Sequence, residues 1–441
     1  MKRQNNIHSA FGLAGILLVG LLTALPGTAT AGSVLDMPYG SPAGTLGAEV
    51  DAMAGTVTSY YRGGLSARFN PAMLSEEKNH RFDGSLSLYQ DHEDRFQPLW
   101  DSFESYVTDT AIASQRNHYF DTGFGAALRA TKGLAVGASV STLYDFTYDF
   151  AEEIRDPINQ PGSDPDDMIL EERSWRSGGR LRVLTLGVAM STPDERLSVG
   201  LAGNYAFGTR KNEVNRRFFQ DQGDSYNTNR EHWLEGSNAV LGVRIKATPR
   251  FEIGAAWETP LKVSGELTDL TDIFAVGADT VATSAMSKDA SIEYPNRYRV
   301  GFTLYPRSEP RTVFTAEMIF SEWTKLEDSE FPVDAQPRLE DVVDVRIGVQ
   351  HTFYNDVPLR FGFRRMDSYS DHEAGATFFT SGIGVPWQHG LFHVSVELSK
   401  VTSRQEHWFP YEYDDPDIYT AETARVEDTR FRLGAGFTYQ F

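Results

Sequence analysis

Residues Leu134 to Phe150 alternate between two kinds of side chain for far longer than the ~5–6 residues of an ordinary globular strand. One face of that run carries Leu134, Val136, Ala138, Val140, Thr142, Tyr144, Phe146, Tyr148 and Phe150. The other carries Ala135, Gly137, Ser139, Ser141, Leu143, Asp145, Thr147 and Asp149. A strand greasy on one side, polar on the other and aromatic at one end suits a barrel wall with lipid outside and a wet interior.

The N-terminus agrees with that setting. Lys2, Arg3 and His8 precede an apolar run from Phe11 to Leu25, and Ala29-Thr30-Ala31 follows as a small-residue cleavage site. This pattern predicts an export signal over 1–31, since the run is shorter than the roughly 20 residues of a spanning helix. Cysteine is absent from all 441 residues, so no disulfide or thiolate site is available. The net charge of −20 argues against a nucleic-acid partner.

From Gly32 to His80 the chain is rich in Gly and Ala, with no sustained two-residue period. Small residues and an Asn-Pro turn predict a compact plug of short helices over 32–80. Alternating segments follow over 81–441. Their outward sets include Phe82, Leu86 and Leu88 in the first, and Leu184, Leu186, Val188 and Met190 in the fourth. The seventh carries Phe251, Ile253, Ala255, Trp257 and Leu261, and the eighth Ile292, Tyr294, Tyr298, Val300, Phe302 and Leu304. About fourteen such segments predict an all-β fold, a transmembrane antiparallel β-barrel with a small N-terminal plug in its lumen. Connections are short at 131–133, 192–195, 248–250 and 354–356, and long loops are expected at 151–173, 209–235, 264–290 and 402–428. Acids gather in two of those loops, Glu152 to Glu172 and Asp414 to Asp417, as solvated loop charge or as bridges through divalent cations to lipopolysaccharide phosphates. A large soluble β-protein would point the apolar faces at a dry core instead.

The closing strand ends on Phe441, and a terminal aromatic on an alternating strand resembles the signal read by the outer-membrane assembly machinery. Arg68-Phe69-Asn70-Pro71-Ala72-Met73-Leu74, after a Gly/Ala-rich start and directly before the first strand, resembles the plug of the FadL-type long-chain fatty-acid transporters of the Gram-negative outer membrane. Tyr298-Arg299-Val300-Gly301, Ser321-Glu322-Trp323-Thr324, Arg346-Ile347-Gly348-Val349 and Leu359-Arg360-Phe361-Gly362-Phe363 are similar to later parts of that family. The loops 151–173 and 209–235 match nothing in it.

The resemblance implies a monomeric fourteen-stranded barrel closed by its N-terminal plug, with Asn70, Pro71 and Ala72 holding that plug. It implies a ligand bound first in an apolar outer groove, then in an inner pocket, and released into the bilayer through a kink in the third strand. The sequence itself shows no gap in that strand's alternation. Expected cargo is a long-chain fatty acid or another hydrophobic small molecule, with aromatic or aliphatic hydrocarbons as the alternative. A non-transporting surface barrel, adhesin or secretion anchor, is a third reading.

An amphiphilic acid needs an apolar path for its tail and a cation for its carboxylate, and arginine forks match carboxylates bidentately. Inward positions supply Arg180, Arg182, Arg297, Arg299, Arg346, Arg360, Arg364, Arg430 and Arg432, while inward Asp145, Asp149, Glu252, Glu258, Asp344 and Glu397 can pair with them. Arg299 and Arg346, beside the family-like stretches, are the candidate carboxylate ligands. Phe274 and Trp408 are candidates for the outer groove, with loop packing as the bland role of each. The ten histidines form no His-Glu-x-x-His pair, and no Gly-x-Ser-x-Gly elbow or phosphate loop occurs, so neither an enzyme nor a metal or cofactor site is expected.

Overall fold

The computed structural model describes residues 38–42, 47–101, 103, 105–155, 169–219, 224–274, 280–306, 311–406, 418–420 and 423–441. The 1–31 segment and Trp408 lie outside these residues. Fourteen wall strands form one closed antiparallel barrel. In chain order they are Arg81–Asp101, Tyr106–Thr131, the third in two pieces (Leu134–Asp145 and Tyr148–Arg155), the fourth in two (Ile169–Gly178 and Arg180–Ser191), Leu197–Phe218 and Ser225–Thr248. The seventh (Phe251–Glu258, Leu261–Phe274) and eighth (Thr280–Tyr294, Arg297–Leu304) are also divided. Thr312–Ser321, Val342–Thr352, Pro358–Met366, Ala376–Trp387, Gly390–Glu406 and Thr423–Gln440 complete the wall. Closure comes from the first strand pairing with the last, Arg81 opposite Gln440 through Phe96 opposite Arg425.

The apolar stripes face outward. Leu186 is 62% exposed, Met190 57% and Val300 51%, while inward Ser87, Thr185, Ser198 and Arg244 are fully buried. Every wall strand pairs with both of its neighbours around a greasy exterior and a polar interior, as lipid requires of a barrel, and this settles the orientation that periodicity alone leaves open.

Several segments expected as long loops are strand. The hairpins reach Phe218 and Ser225, Phe274 and Thr280, and Glu406 and Thr423. These extensions place polar residues on both faces with only scattered apolar ones such as Leu267 and Trp233, so the ladder hydrogen bonds continue where the alternation signal has stopped.

Two stretches of the outward sets point inward. Tyr144, Phe146, Tyr148 and Phe150 are at most 3% exposed, and so are Leu261, Ile292 and Tyr294. In the third strand the register with the fourth slips between Thr142 and Tyr144, inserting Leu143 as a bulge. One extra residue exchanges the two faces of everything beyond it. Asp149 accordingly turns out to solvent instead of into the lumen. In the seventh strand the register with the sixth shifts by one residue across 259–260, from Glu258 opposite Val240 to Lys262 opposite Ser237, and the eighth, in constant register with the seventh, exchanges its faces with it at 295–296.

The N-terminal segment lies in the bore. It contains short helices at Ala48–Asp51 and Ser66–Phe69 and a 3₁₀ helix at Pro71–Glu76. Asn70 caps the last of these, its Oδ1 accepting from Ala72 N at 3.2 Å, and Pro71 occupies the first helical position, where a missing N–H costs nothing. The Asn70 Nδ2 donates to Thr58 O (2.7 Å) and to Val243 O of the sixth strand (3.1 Å), so one fully buried amide ties helix, segment and wall together. A Cβ on Gly242 would run into the Asn70 side chain, which is why the wall is bare there.

Candidate functional site

Between the N-terminal segment and the wall lies a cavity of about 120 Å³. Its floor is Arg68 and Phe69 of the Ser66–Phe69 helix, and its walls include Arg299 of the eighth strand, Arg346 of the tenth, Trp323 and Tyr369. Strand alternation turns Arg299 and Arg346 inward, because Val300 and Val345 face out. Arg299 and Arg346 therefore meet at one cavity.

Both sit in an ion-pair lattice. Arg299 stands 3.6 Å from Glu258 and 3.9 Å from Glu317, and among the described residues its guanidinium makes no hydrogen bond. Glu317 is instead engaged by the amides of Val57 and Thr58, at 2.7 and 2.9 Å. Arg346 donates to Gly55 O (3.0 Å) and lies 3.5 Å from Asp344, while its Nε has no partner among the described residues. These pairs offset the cost of burying charge, and the loosely held donors remain able to meet an anion.

Arg68 is different. Its Nη1 donates to Ser141 Oγ (2.7 Å) and Thr142 O (2.8 Å), and no carboxylate of the described residues approaches within ion-pair distance. Burial brings its guanidinium down to about 10, which leaves it charged at neutral pH. The Phe69 ring carries both Arg68 (5.1 Å) and Arg299 (5.2 Å) over its π system. Nothing in the spacing of the N-terminal sequence marks Arg68 as part of a site, since it reaches the cavity only through the folding of that segment.

The apolar side of the cavity is aromatic. Trp323 stacks on Tyr369 (3.9 Å, 17°), both lining the cavity, and is backed by Tyr144 edge-on (5.9 Å, 76°), which stacks in turn on Tyr294 (4.3 Å, 14°). Tyr144 and Tyr294 are available for this only because of the face exchanges described above. Phe274, by contrast, is half-buried at the tip of the seventh strand, opposite Thr280 and Ser225, and does not line the cavity.

Beside the cavity the wall opens. The second and third strands are paired from Thr131 and Leu134 up to Phe124 and Val140 and no further. Above that point side chains span the opening: Thr142 Oγ1 donates to Asp121 (2.7 Å) and Asn117 to Asp149 O (3.0 Å) between the two strands, and Arg180 reaches across from the fourth strand to Phe120 O (2.5 Å). The third strand then breaks at Phe146–Thr147.

No protein-family model matches the sequence, and no curated protein sequence matches it. Among solved structures the chain is similar to a Pseudomonas aeruginosa FadL homologue, with TM-score 0.63 and 12% identity over 90% of this chain and 98% of that one. It is similar to the Pseudomonas putida toluene transporter TodX, with TM-score 0.61 and 14% identity over 90% and 98%. The Ralstonia pickettii toluene transporter TbuX follows at TM-score 0.55 and 14% identity, again over 90% and 98%. The chain therefore has the fold of the FadL-type barrels.

Proposed function

We propose that this chain belongs to the FadL-type family and is a Gram-negative outer-membrane channel for energy-independent uptake of hydrophobic molecules, long-chain fatty acids first. The observation that carries the reading is a cavity with aromatic walls and loosely held arginines, enclosed in a membrane barrel and lying beside a break in its wall. Arg299 and Arg346, with Arg68, hold the carboxylate, and the Trp323–Tyr369 side takes the apolar body. Residues 32–80 are the plug, held through Asn70, Pro71 and Ala72, and 1–31 are removed on export. Phe274 and Trp408 belong to an outer groove where cargo first lands. The barrel is a monomer inserted by the assembly machinery, with acidic hairpin ends toward lipopolysaccharide.

Burying each CH₂ contributes ~0.8 kcal/mol, and transfer to acyl chains returns the tail to an equally apolar medium, so no energy source is required. Release proceeds through the gap between the second and third strands. Uptake of aromatic hydrocarbons is the second reading, supported by the cavity of about 120 Å³, close to the roughly 150 Å³ that holds benzene in an engineered core. Uptake of labelled oleate and labelled toluene by cells with and without the gene tests both. Faster oleate entry supports the first reading, toluene alone the second, and neither removes both in favour of a surface barrel without transport.

A further inference from the structure

The wall has another interruption, between the seventh and eighth strands. Glu258 faces Arg297 below it and Leu261 faces Tyr294 above it. That register sets Thr259 opposite Asn296 and Pro260 opposite Pro295. Neither proline has an N–H to donate, and the ladder is empty across these two rungs while it is intact on both sides. Side chains close the opening instead: Asn296 accepts from Trp257 Nε1 (2.9 Å) and donates to Glu322 (3.1 Å).

The gap lies at the rim of the greasy belt. Trp257 and Tyr298, a directly opposed and outward pair one step below, are 40% and 39% exposed, as interfacial aromatics are. Outside the gap is a cleft of about 700 Å³ that Pro260, Pro295 and Asn296 line. Inside it is the arginine and aromatic cavity. Successive residues line opposite sides, Asn296 the cleft and Arg297 the cavity, Thr324 the cleft and Trp323 the cavity. The two spaces are thus one residue layer apart, Tyr294 on the cleft side meeting Trp323 on the cavity side edge-on (6.1 Å, 82°).

We propose that this gap is a second lateral port, through which hydrophobic cargo passes between the cavity and the lipid at the belt rim. The proposal rests on the uptake reading above and adds a route to it. Opening requires Tyr294, Trp323 and the Asn296 side chain to turn, with no ladder hydrogen bond to break.

The absence of cysteine makes the test clean. Directly opposed antiparallel residues have Cα atoms about 4.5–5.5 Å apart, within disulfide reach. A T259C/N296C disulfide would staple the gap shut. An A255C/V300C disulfide would bridge the same two strands where the ladder is intact. With labelled oleate as the probe, oxidised T259C/N296C is expected to take up cargo at least threefold more slowly than the reduced form. A255C/V300C is expected to be unaffected in either state. Equal rates for oxidised and reduced T259C/N296C overturn the port and leave the uptake reading standing. If the unmodified protein takes up toluene but not oleate, labelled toluene is the probe and the same threefold criterion decides; uptake of neither overturns the uptake reading, and the port with it. If T259C/N296C fails to show the heat-dependent gel shift of a folded barrel, P260T/P295T, which returns both amide donors to the empty rung, takes its place. At least threefold slower uptake by that variant supports the port, and an unchanged rate overturns it.

Discussion

Ser41 and Asp145 form an isolated antiparallel bridge, Ser41 N donating to Asp145 O at 2.8 Å and Asp145 N to Ser41 O at 3.1 Å. Asp145 is the last residue before the third strand breaks, and its carboxylate also holds Arg180 at 3.1 Å and the Thr147 amide at 3.0 Å. The N-terminal segment is therefore hydrogen-bonded to the wall at the point where the wall stops being a sheet. Replacing Ser41 with Pro removes one donor of the bridge, worth about 1 kcal/mol. Hydrogen exchange of the Asp145 and Thr147 amides is expected to speed up several-fold, with ladder amides of the ninth and tenth strands unchanged.

Asn70 supplies the helix cap and two donors from a fully buried position. Asn70→Ala leaves the carbonyls of Thr58 and Val243 without that partner and is expected to destabilise the segment by ~2 kcal/mol or more. Protease nicking within 47–77 of the detergent-solubilised protein should rise while the barrel keeps its gel mobility.

Glu49 is the acid that locks the segment to both neighbouring strand groups, 2.8 Å from Arg81 and 3.4 Å from Arg360. Burial acts to raise its carboxyl, but Arg81, Arg360 and His393 outweigh burial and hold it at about 2, below its ordinary 4.5. A depressed acid contributes stability that is complete above the ordinary value and is lost as pH falls from 4.5 through about 2. Unfolding free energy of the segment should fall by on the order of 3 kcal/mol across that window. Glu49→Gln should flatten the profile there, as followed by acid titration of protease protection.

Much of the wall is legible in the sequence because lipid imposes a strict alternation on it. Leu184 to Met190 and Val300 to Leu304 face out as their period dictates. The exceptions share one cause. Leu143 is a single inserted residue in the third strand, the seventh strand gains a single residue on the sixth at Thr259–Pro260, and each shifts the phase of an alternation that otherwise continues unbroken. Tyr144 and Tyr294 are aromatic, so they fit a lipid-facing belt and an inner aromatic wall equally well, and composition cannot tell the two apart. The site divides along the same line. Arg299 and Arg346 lie on regular strands and their inward direction follows from parity, whereas Arg68, Trp323 and Tyr369 reach the cavity from irregular segments with no period to read.

Arg299 meets its acidic neighbours only at 3.6 and 3.9 Å, so an incoming carboxylate would gain a charge-assisted hydrogen bond there. Arg299→Met is expected to weaken oleate binding about tenfold, ~1.4 kcal/mol, and to leave toluene binding unaltered. Equilibrium binding to the purified protein with both ligands measures this directly.

The Trp323–Tyr369 stack and the arginines Arg68, Arg299 and Arg346 define where cargo rests, and a heavy-atom ligand locates it without ambiguity. A crystal grown with a long-chain bromo-fatty acid should give a bromine anomalous peak inside the cavity, against Trp323, with the carboxylate on Arg299, Arg346 or Arg68. Bromine found only along the outer greasy belt, with the cavity unchanged, would contradict the account.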